Sequence, residues 1–181
     1  MSVLSRNWML ITILCVLNSC GDESGKRNIQ GLNKEKFSSK EKRSEAKFLV
    51  DVIDKSHALL RLGSLGEKHL SDTSDRNLAH DFVQRHTKVT LRLKTYAESR
   101  DITTPLSGEF DSARNIERFT RMEPDKFNKE WSDQVEKLNA RLMKDIRDYR
   151  EEASDSLRIL LDTTTYLMSR NDSLLNTLRQ Q

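Results

Sequence analysis

From Glu45 to the end of the chain, apolar residues recur at three-and-four spacing. Over Glu45–Leu70, Leu49, Val52, Ile53, Leu59, Leu60 and Gly63 fall on one face at about 100° per residue, which predicts an amphipathic helix. Gly63 and Gly66 carry no Cβ on that helix and admit a close neighbour. An Asp72-Thr73-Ser74 cluster can cap a second helix running to about Ser99, with Leu78, Phe82, Val89, Leu93 and Ala97 along its stripe. Pro105 and Gly108 mark a loop at about 100–107, and a short helix is expected over Phe110–Thr120. Pro124 suits the first turn of the next helix, whose Phe127, Trp131, Val135, Leu138, Leu142, Ile146 and Tyr149 line one side to about Glu152. Ser154 or Asp155 can cap a last helix carrying Leu157, Leu160, Leu161, Leu167, Met168, Leu175 and Leu178.

No segment alternates with the period of two that a half-buried strand requires. The fold class expected is all-α: an antiparallel four-helix bundle with short connections and a short extra helix, one domain over residues 45–181. Composition agrees, since the chain holds only two prolines and six glycines and is rich in strong helix formers.

The first residues follow another pattern. Arg6 precedes an apolar run from Trp8 to Leu17, and Leu17-Asn18-Ser19-Cys20 comes next. That order is a signal peptide over residues 1–19, with an apolar stretch about half as long as a bilayer-spanning helix needs. The leucine three before and the small residue one before Cys20 resemble a lipobox, with Asn18 the less usual residue between them. Cys20 is then the lipidated first residue of the mature protein, and the membrane is a partner through that anchor. The alternative is that Met9–Leu17 is a buried strand or helix. Gly21 follows the cysteine, so no aspartate directly adjoins it, which favours outer-membrane sorting; Asp22-Glu23 also resembles a surface-export signal, but two carboxylates are a weak cue and a periplasm-facing placement ranks first. Cys15 leaves with the leader and Cys20 is consumed by the thioether, so no disulfide is available.

Residues 20–44 are expected to form the lipidated N-terminus and a flexible basic tether. Gly25–Arg43 holds Lys26, Arg27, Lys34, Lys36, Lys40, Lys42 and Arg43 against Glu35 and Glu41, with few apolar residues to order it. Its other reading is attraction to anionic lipid or lipopolysaccharide phosphate. The whole chain holds 31 basic and 28 acidic side chains, and outside this stretch they alternate in sign, which argues against nucleic acid as a partner.

The order of landmarks resembles a known family. A Phe-Leu opening, Gly63 in a leucine-rich helix, Phe82-Val83-Gln84-Arg85-His86-Thr87-Lys88, Leu93, Ala97, Thr104-Pro105-Leu106 and Phe127 match the pattern of domain of unknown function 4142 over about Ala46–Leu178. The resemblance implies a ferritin-like helical fold in an exported or lipid-anchored envelope protein. It also marks departures. Asn139 stands where the family has a histidine, Thr163 or Thr164 where it has another, Leu59 near a common glutamate, and Arg85 in place of an acidic residue. The chain thus resembles a divergent member.

A ferritin-like dimetal site needs inward glutamates and Glu-x-x-His pairs. The nearest local match, Asp54-x-x-His57, lies opposite or at the margin of its apolar stripe and is expected to be solvated. His69 and His80 also point away from their stripes, leaving His86 as the inward histidine, with Asn139 as a partner for it. His86 reads as a core histidine hydrogen-bonded to a neighbour, or else as a ligand or proton carrier. Met122, Met143 and Met168 read as core filling. No G-x-S-x-G, P-loop or H-E-x-x-H is present, so no catalytic residue, metal, cofactor or small-molecule substrate is implied. The leading expectation is a non-catalytic envelope lipoprotein with a protein-binding or structural, stress-related role, an envelope protein being the candidate partner. The alternative is a ferritin-like metal-binding or oxidase protein of the periplasm.

Overall fold

A computed structural model describes residues 23–106 and 116–179, with side chains in these ranges except at 23–27, 125 and 170–179. The expected leader and Cys20 lie outside the described residues, as do most of the short helix expected at 110–120 and the side chains of Leu175 and Leu178. Among the described residues five α-helices follow one another: α1 Glu23–Lys36, α2 Lys40–His69, α3 Thr73–Ser99, α4 Pro124–Arg150 and α5 Asp155–Arg179. A 3₁₀ turn at Phe119–Arg121 precedes α4, and no strand occurs among the described residues. The ends of these helices have local causes. The Ser39 hydroxyl accepts from the Lys42 N–H at 3.2 Å, and the Asp72 carboxylate accepts from the Ser74 N–H at 2.6 Å. Pro124 occupies the first turn of α4, where its missing N–H costs nothing.

α2 packs on α3 and α4, and α5 packs on the same two helices, so α2 and α5 face each other across a diagonal. Phe82 meets Gly63 and Ala79 meets Gly66 near one end of the α2–α3 pair, while Tyr96 reaches Glu45 at the other end, so these helices run antiparallel. On α4, Trp131 meets Gly66 and Tyr149 stacks on Phe48 at 4.0 Å, so α4 also opposes α2. Tyr96, late in α3, lies 3.3 Å from Ser154 at the start of α5. α2 and α5 therefore share one direction and α3 and α4 the other. The connection from Ser99 to Pro124 must cross the length of the bundle, roughly 40 Å for helices of this size. Short connections were expected throughout; this one is long because α3 ends beside Glu45 while α4 begins beside His69, whose ring lies 5.5 Å from Phe127.

The stretch expected to be a flexible tether is corrected. Residues 23–36 are helical, and α2 begins at Lys40 rather than Glu45 because Ser39 supplies its cap. α1 needs no core of its own, since it borrows the outer side of α2, where Val50 and Ala58 are buried. Phe37 is buried between the two helices' ends, and Gln30 donates to Asp51 at 3.2 Å. Asn33, only 2% exposed, holds α1 to the α3–α4 connection twice. Its amide nitrogen donates to the Thr103 carbonyl at 2.8 Å, and its amide oxygen accepts from the Thr103 N–H at 2.9 Å. Asn33→Ala is expected to cost about 1–3 kcal/mol, because both Thr103 groups lose their partner in a half-buried place. Urea unfolding checks this against Lys34→Ala, which should stay within about 0.5 kcal/mol.

Candidate functional site

The contacts that align the helices also decide which interior residues share a level. The Trp131 indole N–H donates to the Leu62 carbonyl at 2.7 Å, which sets α4 against α2. A Cβ at Gly66 would stand 2.5 Å from Cζ2 of Trp131, and one at Gly63 would stand 2.5 Å from a methyl of Val83, so both glycines let neighbouring helices approach closely. Counting along the helices from these contacts and from Tyr96–Ser154 places Leu59, His86, Asn139 and Thr164 near one level, each from a different helix.

All four are interior: Leu59 and His86 are fully buried, and Asn139 and Thr164 are 1% exposed. Thr90, one turn beyond His86, is buried with them. The His86 ring lies 4.3 Å from that of Phe82, one turn before it on α3. Neither ring nitrogen of His86 has a hydrogen-bond partner among the described residues. The bond expected between His86 and Asn139 is therefore not formed, although both side chains are buried where the helical stripes predict. Burial pushes the His86 pKa down to about 3, so the ring is neutral at physiological pH.

This level offers one imidazole, one amide and a hydroxyl, with an aliphatic side chain from α2. A tightly held transition metal calls for several imidazole, thiolate or carboxylate donors converging on one point. Among the described residues no group of three or more His, Cys, Asp or Glu side chains is placed to hold a metal ion.

The Asp54–His57 pair is not solvated as expected. Asp54 is 5% exposed and His57 half-buried, because α1 and the segment at Ile116–Thr120 cover the outer side of α2. Desolvation, and then the charge of Lys94, lowers the His57 pKa. The pair lies on the opposite side of α2 from the core and does not join His86. His69 is exposed, and His80 is exposed with its Nδ1 2.7 Å from Glu67 Oε1.

Two surface features are not marked by the apolar stripes. Leu91 on α3 and Ile159 and Tyr166 on α5 are 64%, 70% and 65% exposed, large apolar side chains on two adjoining helices. Their signal in the sequence is that they fall off the stripes of their own helices. The second is a groove of about 400 Å³ between α2 and the α3–α4 connection, lined by His57, Arg61, Ser64, Lys68, Ile116 and Thr120 among others.

The molecule is thus an all-helical bundle with a single neutral histidine in a small polar interior level. The family described as Domain of unknown function (DUF4142) matches residues 32–168, and the chain belongs to that family. The match begins within α1, in agreement with the ordered structure there. Neither the curated proteins nor the solved structures include a match to the chain.

Proposed function

We propose that this protein is a lipid-anchored bacterial envelope protein whose domain is a non-catalytic, ferritin-like four-helix bundle acting through protein contacts. The observation that carries the reading is the chemistry of the central level: Leu59, Asn139 and Thr164 accompany His86 there, and none of them is a carboxylate, thiolate or second imidazole. The ferritin-like assignment is supported by one long crossover between two antiparallel helix pairs, the feature that separates this topology from simple up-and-down bundles. The anchor is supported by Leu17-Asn18-Ser19-Cys20 after the apolar run, and no helix among the described residues is long and apolar enough to cross a membrane. An outer-membrane placement is favoured by Gly21 after the cysteine, and a periplasm-facing one by the weakness of Asp22-Glu23 as a surface-export cue. A protein partner is favoured by the exposed Leu91, Ile159 and Tyr166, large apolar side chains that cost free energy when left in water.

A second reading, a metal-binding or oxidase protein, is favoured by one observation: both nitrogens of His86 lack a hydrogen-bond partner among the described residues. One preparation tests both readings. Cells fed labelled palmitate should label the parent and not Cys20→Ala, which should also keep its leader, because lipidation precedes cleavage. Label that survives the change overturns the anchor. Elemental analysis of the same protein, purified without chelator, should give less than one metal per chain. Stoichiometric iron, copper or manganese that disappears in His86→Leu would establish the second reading.

A further inference from the structure

The position of α1 constrains where an anchored chain meets its membrane. α1 doubles back along α2: Phe37 and Lys42 sit together at the bend, the Lys42 ammonium 5.9 Å from the Phe37 ring, and Gln30 bonds to Asp51. Glu23 precedes Gln30 by two turns, so it falls about two turns beyond Asp51, beside Ala58 near the middle of α2. Cys20 is three residues before Glu23, a reach of at most roughly 11 Å even when fully extended. The first turn of α1, through which an anchor on Cys20 would act, thus lies at the flank of the bundle, not at either end.

The stripe of α2 that α1 covers continues past the start of α1 as His57, Arg61, Ser64 and Lys68, which form one wall of the groove facing Ile116 and Thr120. Arg61 and Lys68 are exposed there beside one carboxylate, Glu117, and along α1 and the start of α2 the exposed Lys34, Lys36, Lys40, Lys42 and Arg43 outnumber the exposed Glu35 and Glu41. Positive side chains within a Debye length of a bilayer are drawn to anionic headgroups.

We propose that the outer side of α2, from α1 to the groove at His57–Lys68, is the surface that lies against the membrane, with its arginine and lysines set against anionic phospholipid headgroups. The bundle lies on its flank, and α5, diagonal to α2, faces away and presents Ile159 and Tyr166 to the aqueous side. This inference rests on the lipidation of Cys20.

The test uses the full lipidated chain, whose mature form holds no cysteine besides Cys20. Bimane is attached to Ser64→Cys, in the groove, or to Ser169→Cys, exposed on α5, and the protein is placed in vesicles of phosphatidylethanolamine and phosphatidylglycerol carrying a nitroxide on some headgroups. Quenching should be several-fold stronger at position 64 than at 169, and the contrast should shrink when Arg61→Glu and Lys68→Glu are combined. Equal quenching at the two positions, or stronger quenching at 169, overturns the orientation. Palmitate labelling of the same samples separates this from failure of the anchor: labelled protein with no contrast sinks only the orientation, whereas unlabelled protein sinks both. Far-ultraviolet circular dichroism confirms that each labelled variant is folded, and Lys68→Cys serves as a second groove position if Ser64→Cys is not.

Discussion

Trp131→Ala is expected to cost about 3–5 kcal/mol, a large share of what holds a domain of this size together. The indole is fully buried between α4 and α2, where it fills the space left by Gly66 and donates to the Leu62 carbonyl. Removing it deletes the largest buried side chain of the core and opens a cavity that rigid helices close only in part. The same contact predicts the effect of the reciprocal change. Gly66→Ala places a methyl 2.5 Å from Cζ2 and 2.7 Å from Cε2 of a ring that has nowhere to turn, for about 1–3 kcal/mol. Lys137→Ala, on the exposed side of α4, should change stability by less than about 0.5 kcal/mol. Thermal melts of the purified protein order the three. If Trp131→Ala melts with the parent while Lys137→Ala collapses it, α4 is turned the other way.

Acidification should destabilise the protein well above the range in which most carboxylates titrate, and His86 supplies the reason. Folded, its pKa lies at about 3; unfolded, it returns to the ordinary 6.5. Above pH 6.5 neither state binds the proton and stability is unaffected. As pH falls below 6.5 the unfolded chain takes up a proton that the folded chain refuses, so stability declines until the folded pKa is reached. Between pH 7 and pH 5 the loss is about 2 kcal/mol from this one group. His57 is shifted in the same direction by its half-burial and by Lys94, and adds to the decline. Chemical unfolding of the parent and of His86→Leu at both pH values measures the difference, and the variant should keep only a small remainder of the slope. A variant as pH-sensitive as the parent would place the titrating group elsewhere.

Ile159 and Tyr166 on α5 lie across the diagonal from the basic flank of α2. An anchored bundle resting on α2 would hold Ile159 and Tyr166 toward the aqueous compartment, where a protein partner has access to them. The two surfaces are then compatible in a single orientation.

What was legible in the sequence is what is local. The apolar stripe of each long helix follows from a 3.6-residue period, and the caps at Asp72 and Pro124 act within one turn, so the all-α class and the four helices after residue 40 could be read without any tertiary information. The same arithmetic turned Trp131, Leu142, His86 and Asn139 inward, where all four are buried. Tertiary structure decided the rest, because it depends on what lies on the other side. Stripe counting assumes that a helix buries one face, but α2 buries two: the core takes Leu49, Ile53 and Leu59, while Val50 and Asp54 are buried on the side opposite, where α1 packs beside Asp51. α1 itself looked like a tether because its order comes from Phe37 and the paired bonds between Asn33 and Thr103, 70 residues away, which no local pattern records. The level shared by Leu59, His86, Asn139 and Thr164 depends likewise on register, and register is set by how closely Gly63 and Gly66 let neighbouring helices approach. Periodicity can tell which way a side chain points, but only packing tells what it meets there.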